Sequence, residues 1–466
     1  MTVQAAFIFP HPPLIIPAVG RGGEKQIAPT AAACEEAAAR IAEIRPDLIF
    51  LTSPHSVMYG DYFHLSPGSS ARGSLASFGA PDEICQADYD SEFVSALAEE
   101  AEAEGLPAGT LGEQDSDLDH GTMVPLWFVR RQYRDFRLVR CGLSGLSFGD
   151  HYRLGMLVAR ISARLGRRTV FLASGDLSHK LKDSGPYGFA PEGPEYDRRI
   201  QEVCRSGDFG ELFDFDHGFC SRAAECGHRS FLIMAGALDG RQVQSQLLSH
   251  QDVTGVGYGV ASFILGDPDP ARRFLEIRQQ GILTRRAQLL EHSDPYVRLA
   301  VQTLEDHVNR RGLGDLPPDL PREMTERRAG VFVSLHKEGE LRGCIGTIAP
   351  VTSCIAREIM DNAVSACSRD PRFEPVRPDE LPYLDVNVDV LGEAEDITSP
   401  AELDVRRYGV IVTSGMRRGL LLPDLEGVDT VEQQIAIARR KAGIGAGEKI
   451  SLQRFEVVRH RMGEGA

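Results

Sequence analysis

The sequence predicts two domains: an α/β domain with a mostly parallel sheet and helices on both faces, then a smaller α+β domain. In the first part, short apolar runs that end in Pro or Gly alternate with segments of helical periodicity. In the second part, an apolar/polar alternation with period two is typical of half-buried strands. Between them, the stretch 266–271 contains two Asp-Pro pairs, which stop strands and helices alike. We therefore predict domains at 1–267 and 286–466, joined by a linker at 268–285.

In the first part, predicted strands alternate with predicted helices in a β-α-β pattern. The apolar runs are rich in β-branched and aromatic residues, as buried strands are, and the segments between them place apolar residues at helical spacing. Such alternation predicts a mostly parallel sheet covered on both faces. The predicted strands are 5–9, 48–52, 169–173 and 260–265, and the predicted helices are 30–44, 90–104 and 152–165.

The second part predicts helices packed on strands that have one buried and one solvated face. The segment 384–391 alternates strictly between apolar and polar residues. The other predicted strands are 330–336, 408–413 and 419–422, and the predicted helices are 294–311, 352–368 and 430–442.

Composition excludes several classes of protein. The net charge of −16 argues against a general nucleic-acid binder, which needs a basic face. No apolar stretch approaches the roughly 18 residues of a membrane span, and residues 1–17 lack the features of a signal peptide. The nine cysteines include no C-x-x-C pair, which favours reduced thiols and a cytoplasmic location.

Histidines follow three of the predicted strands. His11, His55 and His179 each come shortly after a buried apolar run. Because loops at the carboxyl ends of parallel strands converge on one crevice, we expect the three imidazoles to share a pocket. A single histidine after a strand is usually a plain loop residue, but three equivalent positions argue against coincidence.

Two histidines and an acid on separate strand ends describe the facial triad of non-haem Fe(II) oxygenases. His11 and His55 are the candidate imidazoles. Glu225 is the best candidate for the acid, since it lies at the start of the apolar segment 230–238, where a helix dipole would orient a carboxylate. Its neighbour Cys226 is the rival ligand.

Two histidines are candidates for proton chemistry. His120 lies in the acidic segment 115–122, which we interpret as a loop whose carboxylates could fix its tautomer. His179, with an ordinary pKa of about 6.5, could move a substrate proton at neutral pH.

Residues 5–265 resemble the class III extradiol ring-cleavage dioxygenases of the LigB type. The matching segments read FPHPP at 9–13, SPHS at 53–56, DHGTMVPL at 119–126 and SGDLSH at 174–179, together with the Glu225 region. The resemblance implies an Fe(II) centre that opens a catechol-like or aminophenol-like ring with O2. It further implies these roles: His11, His55 and Glu225 as iron ligands, His179 as acid/base and His120 at the substrate site.

The same segments also resemble the Memo proteins, which share this fold. The resemblance to Memo proteins implies a cysteine at the third ligand position. Cys226 is therefore an alternative to Glu225. It also keeps copper or zinc as alternatives to iron, and a metal-binding scaffold without dioxygenase turnover as an alternative function.

Residues 286–464 resemble the AMMECR-type domain, through the run LRGCIG at 341–346 and the segments DPRF at 370–373 and GLLLP at 419–423. The two domain types look like parts of a system that includes a radical-SAM protein, so the resemblance implies such a partner. We expect no nucleic-acid or membrane partner, and a homodimer is the simplest expectation for the assembly. Cys344 lies between two glycines, where either a reactive thiol or a tight turn with a small buried side chain fits.

Overall fold

The computed structural model describes residues 3–114, 117–312, 314–337, 339–425 and 427–465. The chain divides into two compact units, Met1–Arg278 and Gln279–Ala466. The segment predicted as a linker, 268–285, contains the end of a strand, a 3-10 turn at Pro270–Arg272 and most of a helix. Among the described residues, every helix is too short or too polar to cross a bilayer.

Over its described residues, the first unit contains ten strands, of which six build its main sheet. Their bounds are β1 (Val3–Phe9), β2 (Leu48–Ser53), β3 (Phe63–His64), β4 (Ser70–Leu75), β5 (Ala80–Asp88), β6 (Ala108–Gly109), β7 (Arg137–Gly142), β8 (Thr169–Ser174), β9 (Arg241–Gln251) and β10 (Tyr258–Pro268). In the same described part of the chain, eight α-helices lie between these strands, and a ninth follows β10 and continues past Arg278 into the second unit. Their bounds are α1 (Pro17–Gly20), α2 (Ala28–Ile44), α3 (Ser91–Ala103), α4 (His120–Gln132), α5 (Phe148–Arg164), α6 (Glu192–Ser206), α7 (His217–Ala223), α8 (His228–Ala237) and α9 (Phe274–Glu291).

The main sheet has the strand order β7-β2-β8-β1-β10-β9. The first four strands are parallel, whereas β10 pairs antiparallel with β1 and β9 antiparallel with β10. The predicted fold class is therefore confirmed, with an antiparallel edge that periodicity alone did not predict. Strands β1, β2 and β8 lie side by side, so their carboxyl ends open at the same edge.

Helices cover both faces of this sheet, as predicted. Alternate residues of β1 point to opposite sides: Phe7 packs in a core with α2 and α4, and Ile8 in a core with α3, α5 and α8. Both side chains are almost completely buried. Asp90, the first residue of the predicted helix 90–104, lies just before α3 and caps it by accepting a hydrogen bond from the backbone N–H of Phe93.

The second unit is an antiparallel sheet with helices. Its elements are α10 (Pro295–Val308), α11 (Arg322–Glu326), β11 (Val331–Lys337), β12 (Glu340–Gly346), α12 (Ile355–Ser368), β13 (Leu384–Leu391), β14 (Glu395–Ile397), β15 (Tyr408–Ser414), β16 (Arg417–Leu421), α13 (Val431–Lys441) and β17 (Ser451–Arg461). The strand order is β12-β11-β13-β17-β15-β16, with β14 on β17. Strand β13 has the predicted bounds, but the polar face expected to be solvated is partly covered, because Asp389 is buried against Arg459 at 2.7 Å. The predicted α+β class is confirmed.

Candidate metal centre

Three potential metal ligands meet at the carboxyl edge of the main sheet. His11 lies two residues after β1, His55 lies two residues after β2, and Cys226 lies in the turn between α7 and α8. The Nε2 atoms of the two histidines are 3.0 Å apart, and the Sγ atom of Cys226 is 3.7 Å from Nε2 of His11. All three donor atoms lie within 4.8 Å of one another. The convergence expected for the first two histidines is therefore present in the structure.

The tautomer of His11 follows from its hydrogen bonds. Ser174, the last residue of β8, donates its hydroxyl proton to the carbonyl oxygen of Gly121 at 2.5 Å. Its Oγ atom must therefore accept the second contact, 2.9 Å from Nδ1 of His11, so Nδ1 carries the proton. The lone pair of His11 is thus on Nε2, directed at the cluster, as a metal ligand requires.

The donor atom beside the two imidazoles is the thiol sulfur of Cys226, whereas the sequence favoured the carboxylate of Glu225. Glu225 turns back toward α8, where its Oε2 accepts a hydrogen bond of 2.6 Å from the backbone N–H of His228. This contact satisfies the N–H of the first residue of α8, which begins two residues before the predicted segment 230–238, and the Glu225 carboxylate is not part of the donor cluster. Cys226 instead faces His11, and its sulfur accepts a hydrogen bond of 3.2 Å from the backbone N–H of Asp176.

A contact between two glycines fixes this arrangement. A Cβ atom on Gly175 would lie 2.2 Å from the Cα atom of Gly227, so only glycine permits the approach. Ala224 ends α7 in the left-handed conformation, with φ of 53°, and so sets the direction of the turn that follows. Together these features place Cys226 beside the loop after β8.

Asp176 joins two of the ligands, a role that sequence reasoning missed. Its Oδ1 atom accepts a 2.9 Å hydrogen bond from the backbone N–H of His11, while its own N–H contacts the sulfur of Cys226. Burial raises the pKa of its carboxyl group.

The loop that carries His55 is tied to the start of α4. The hydroxyl of Ser53 donates to Oδ1 of Asp119 at 2.6 Å and accepts the backbone N–H of His55 at 3.2 Å. Asp119 also caps α4 through the N–H of Thr122 at 2.9 Å. Ser53 and Asp119 thus hold the β2 loop and this helix together.

His120 is the first residue of α4, where the sequence had predicted a loop. The N-cap pattern of Asp119 before an apolar run was the signal that could have shown this. Residues 115 and 116 of the predicted loop lie outside the described residues. The His120 ring lies 4.0 Å from that of His55, centroid to centroid, and 5.5 Å from that of His11. It is therefore adjacent to both predicted imidazole ligands.

His179 also has a defined tautomer. Its Nδ1 atom lies 2.5 Å from the carbonyl oxygen of Ala224, which can only accept, so Nδ1 carries the proton. The neutral ring therefore has its lone pair on Nε2. Ala224 is two residues before Cys226, so the same turn orients the predicted acid/base and the thiol.

Burial favours the neutral imidazole in His11, His55 and His120. Desolvation lowers the pKa of His11 well below its ordinary value, with further lowering by His55 and His120. Desolvation also lowers the pKa of His55, and that of His120 to about 4. Neutral imidazole is the form that binds a metal, so the ligand histidines need lose no ring proton at neutral pH.

The two candidates for the third ligand both hold protons more tightly than usual. Burial raises the pKa of Cys226 well above 9, and the nearby carboxylates of Asp176 and Glu225 raise it further. Burial raises the pKa of Glu225 to about 7. Metal binding must therefore displace the proton of the thiol.

The donor set fits a metal ion with nitrogen and sulfur ligands. Bonds of about 2.05 Å to imidazole and about 2.3 Å to thiolate, at tetrahedral angles, separate two nitrogens by about 3.3 Å and nitrogen from sulfur by about 3.6 Å. The observed separations are 3.0 Å and 3.7 Å. Imidazole suits iron, copper and zinc alike, and a thiolate favours the softer ions. The residues present can therefore hold such an ion.

Comparison with protein families identifies both parts of the chain. Residues 5–261 match the family described as "Catalytic LigB subunit of aromatic ring-opening dioxygenase". The chain belongs to this family. Residues 297–460 match the AMMECR1 family, so this LigB-family protein carries a C-terminal AMMECR1 domain.

Two relatives and two solved structures are similar to this LigB-family protein. A protein of Clostridium acetobutylicum is 39% identical over 99% of this chain and 100% of its own length. A Thermotoga maritima protein is 49% identical over 36% of this chain and 97% of its own length. An uncharacterized Pyrococcus horikoshii structure matches with a TM-score of 0.35 and 30% identity, over 38% of this chain and 95% of that one. An uncharacterized Escherichia coli structure matches with a TM-score of 0.38 and 15% identity, over 56% and 99%.

Proposed function

We propose that the first unit is a metal-dependent, extradiol-type oxygenase acting on a small aromatic substrate with two ortho heteroatoms, with iron as the metal. The observation that carries the proposal is the meeting of His11, His55 and Cys226 beside two further histidines, on a chain of the LigB family. Three protein ligands leave coordination positions open for substrate and O2.

A bound Fe(II) would supply the electronic link between an electron-rich ring and O2. The protein's contribution is to hold ligands and to move protons. Nε2 of His179 carries a lone pair, so it can accept a proton from a substrate hydroxyl and return it later. His120 is neutral and lies beside His55, so it can donate a hydrogen bond to a substrate heteroatom without adding charge.

Anaerobic loading with Fe(II), followed by O2 uptake with a panel of catechols and aminophenols, tests this function. We expect uptake equimolar with substrate and a new ring-cleavage chromophore. We expect His179→Ala to retain the metal and lose turnover, and His11→Ala to lose the metal. Bound metal with no uptake across the panel would contradict the oxygenase proposal.

The thiol favours a second candidate function, a metal-binding protein without oxygenase turnover. A thiolate in place of the acid of the facial triad shifts the preference toward softer ions such as copper or zinc. In this proposal the AMMECR1 domain recruits a partner, for which we propose a radical-SAM protein. Retention of copper or zinc in preference to Fe(II), together with absent O2 uptake, would support this candidate over the first.

A further inference from the structure

We propose that Phe78 and Tyr187 form an aromatic rim that holds the substrate ring at the mouth of the metal centre and selects flat aromatic ligands. This inference rests on the proposed function, because it concerns the ligand of the same site. It identifies residues outside the six histidine, glutamate and cysteine positions considered above. Each ring packs against one of the two histidines that we propose to be non-ligand groups.

Phe78 lies against His120. Its ring centroid is 5.2 Å from that of His120, with the planes inclined at 63°. It ends a 3-10 turn, Ala76–Phe78, that connects β4 to β5. Arg21 donates a hydrogen bond of 3.0 Å to the carbonyl of the next residue, Gly79, and so fixes the turn. The side chain is nevertheless 38% exposed.

Tyr187 lies against His179. The two ring centroids are 5.1 Å apart and the planes are nearly perpendicular, at 83°. Tyr187 lies within a short loop closed by the antiparallel bridge between Leu181 and Phe189. The Leu181 N–H also donates to the carbonyl of Gly255 at 3.1 Å, which anchors the loop to the segment before β10. The tyrosine is 60% exposed.

Exposed aromatic residues are common singly, so exposure alone indicates nothing. Here two exposed rings are each held by an anchored turn and each contact a histidine of one candidate centre. Aromatic rings prefer edge-on or offset contacts with other rings, and such contacts add affinity beyond buried area. A flat aromatic ligand bound beside His120 and His179 would cover part of both rings. A non-aromatic chelator with the same donor atoms would gain little from them.

The test is equilibrium binding to the full-length, Fe(II)-loaded protein under anaerobic conditions, where no turnover occurs. The probes are 4-nitrocatechol, followed by its absorbance change, and acetohydroxamate, a non-aromatic chelator with two oxygen donors. We expect Phe78→Ala and Tyr187→Ala each to weaken 4-nitrocatechol about fivefold, and the double variant about 25-fold. Binding of acetohydroxamate should stay within about twofold.

Three controls complete the experiment. Tyr187→Phe retains the ring and should bind 4-nitrocatechol like the unaltered protein. Ile277→Ala removes an apolar side chain that is 50% exposed on α9, the helix that follows the carboxyl end of β10. This variant should bind 4-nitrocatechol and acetohydroxamate like the unaltered protein. Metal content of each variant should equal that of the unaltered protein, because neither rim residue is a proposed ligand.

The outcomes separate this inference from the proposed function. If the unaltered, iron-loaded protein fails to bind 4-nitrocatechol, the proposed function is wrong and the rim inference falls with it. If it binds, but the rim variants bind equally well or weaken both probes alike, the rim inference alone is wrong. Selective weakening of the aromatic probe supports it.

Discussion

Exchange of the third metal ligand is the sharpest test of the centre. The structure places the sulfur of Cys226 3.7 Å from Nε2 of His11 and directs Glu225 to the N–H of His228. Structural zinc sites with four ligands bind with roughly 10–16 kcal/mol, or about 3 kcal/mol per ligand. Because about 1.4 kcal/mol is a factor of ten, Cys226→Ala should weaken metal binding by about two orders of magnitude.

The matched control is Glu225→Gln, which keeps an oxygen acceptor for the His228 N–H. Its carboxylate is not a member of the donor cluster, so we expect the metal affinity to change by less than about fivefold. Both affinities can be measured by competition with a chelator, using Co(II), whose thiolate charge-transfer absorption should disappear in Cys226→Ala. Thermal unfolding of each variant checks that the fold is retained. Metal lost by Glu225→Gln and kept by Cys226→Ala would refute the assignment of the thiol.

Three further predictions concern the surroundings of the centre. Burial holds the thiol pKa of Cys226 well above 9, while the ligand imidazoles are neutral, so metal binding should release one proton. Metal affinity should therefore rise about tenfold per pH unit between about pH 6.5 and 8. Calorimetry in buffers of different ionisation enthalpy measures the proton release, and an affinity that does not change with pH would contradict thiolate ligation. Asp197→Asn replaces a buried carboxylate that accepts the N–H of Ser178 at 2.8 Å and contacts the ring of His250. The free energy of unfolding should fall by about 1–3 kcal/mol in a denaturant titration, while the metal affinity stays unchanged. Gly175→Ala forces a Cβ atom to 2.2 Å from the Cα of Gly227, so this variant should lose metal and stability together; retention of both would show that the two loops can separate freely.

The sequence predicted most of the first unit because its elements are strongly patterned. The predicted helix at 30–44 corresponds to α2 at Ala28–Ile44, and the strand at 169–173 to β8 at Thr169–Ser174. Positions directly after such strands are also predictable, since the sheet edge fixes where they lie. For this reason the meeting of His11 with His55 could be predicted without coordinates.

Features that depend on tertiary contacts could not be predicted in this way. The antiparallel pairing of β9 and β10 leaves no periodic signal different from that of a parallel edge. The Asp-Pro pairs at the start of the segment 268–285 are typical of a linker, yet α9 begins only six residues after β10. Proline and aspartate mark the end of the strand correctly, but they do not exclude a helix immediately afterwards.

The choice between Glu225 and Cys226 shows most clearly where sequence reasoning ends. The two residues are neighbours in a turn, so a rotation of the chain by one position exchanges which side chain faces the histidines. That rotation is set by the left-handed Ala224 and by the contact of Gly175 with Gly227, which comes from a distant segment. The chemical consequence is large, because a thiolate is a softer ligand than a carboxylate and changes which metal is bound. Within a chain that belongs to the LigB family, we therefore expect the metal preference to depend on this contact between the two glycine-containing loops. The paired Cys226 and Glu225 variants test that expectation.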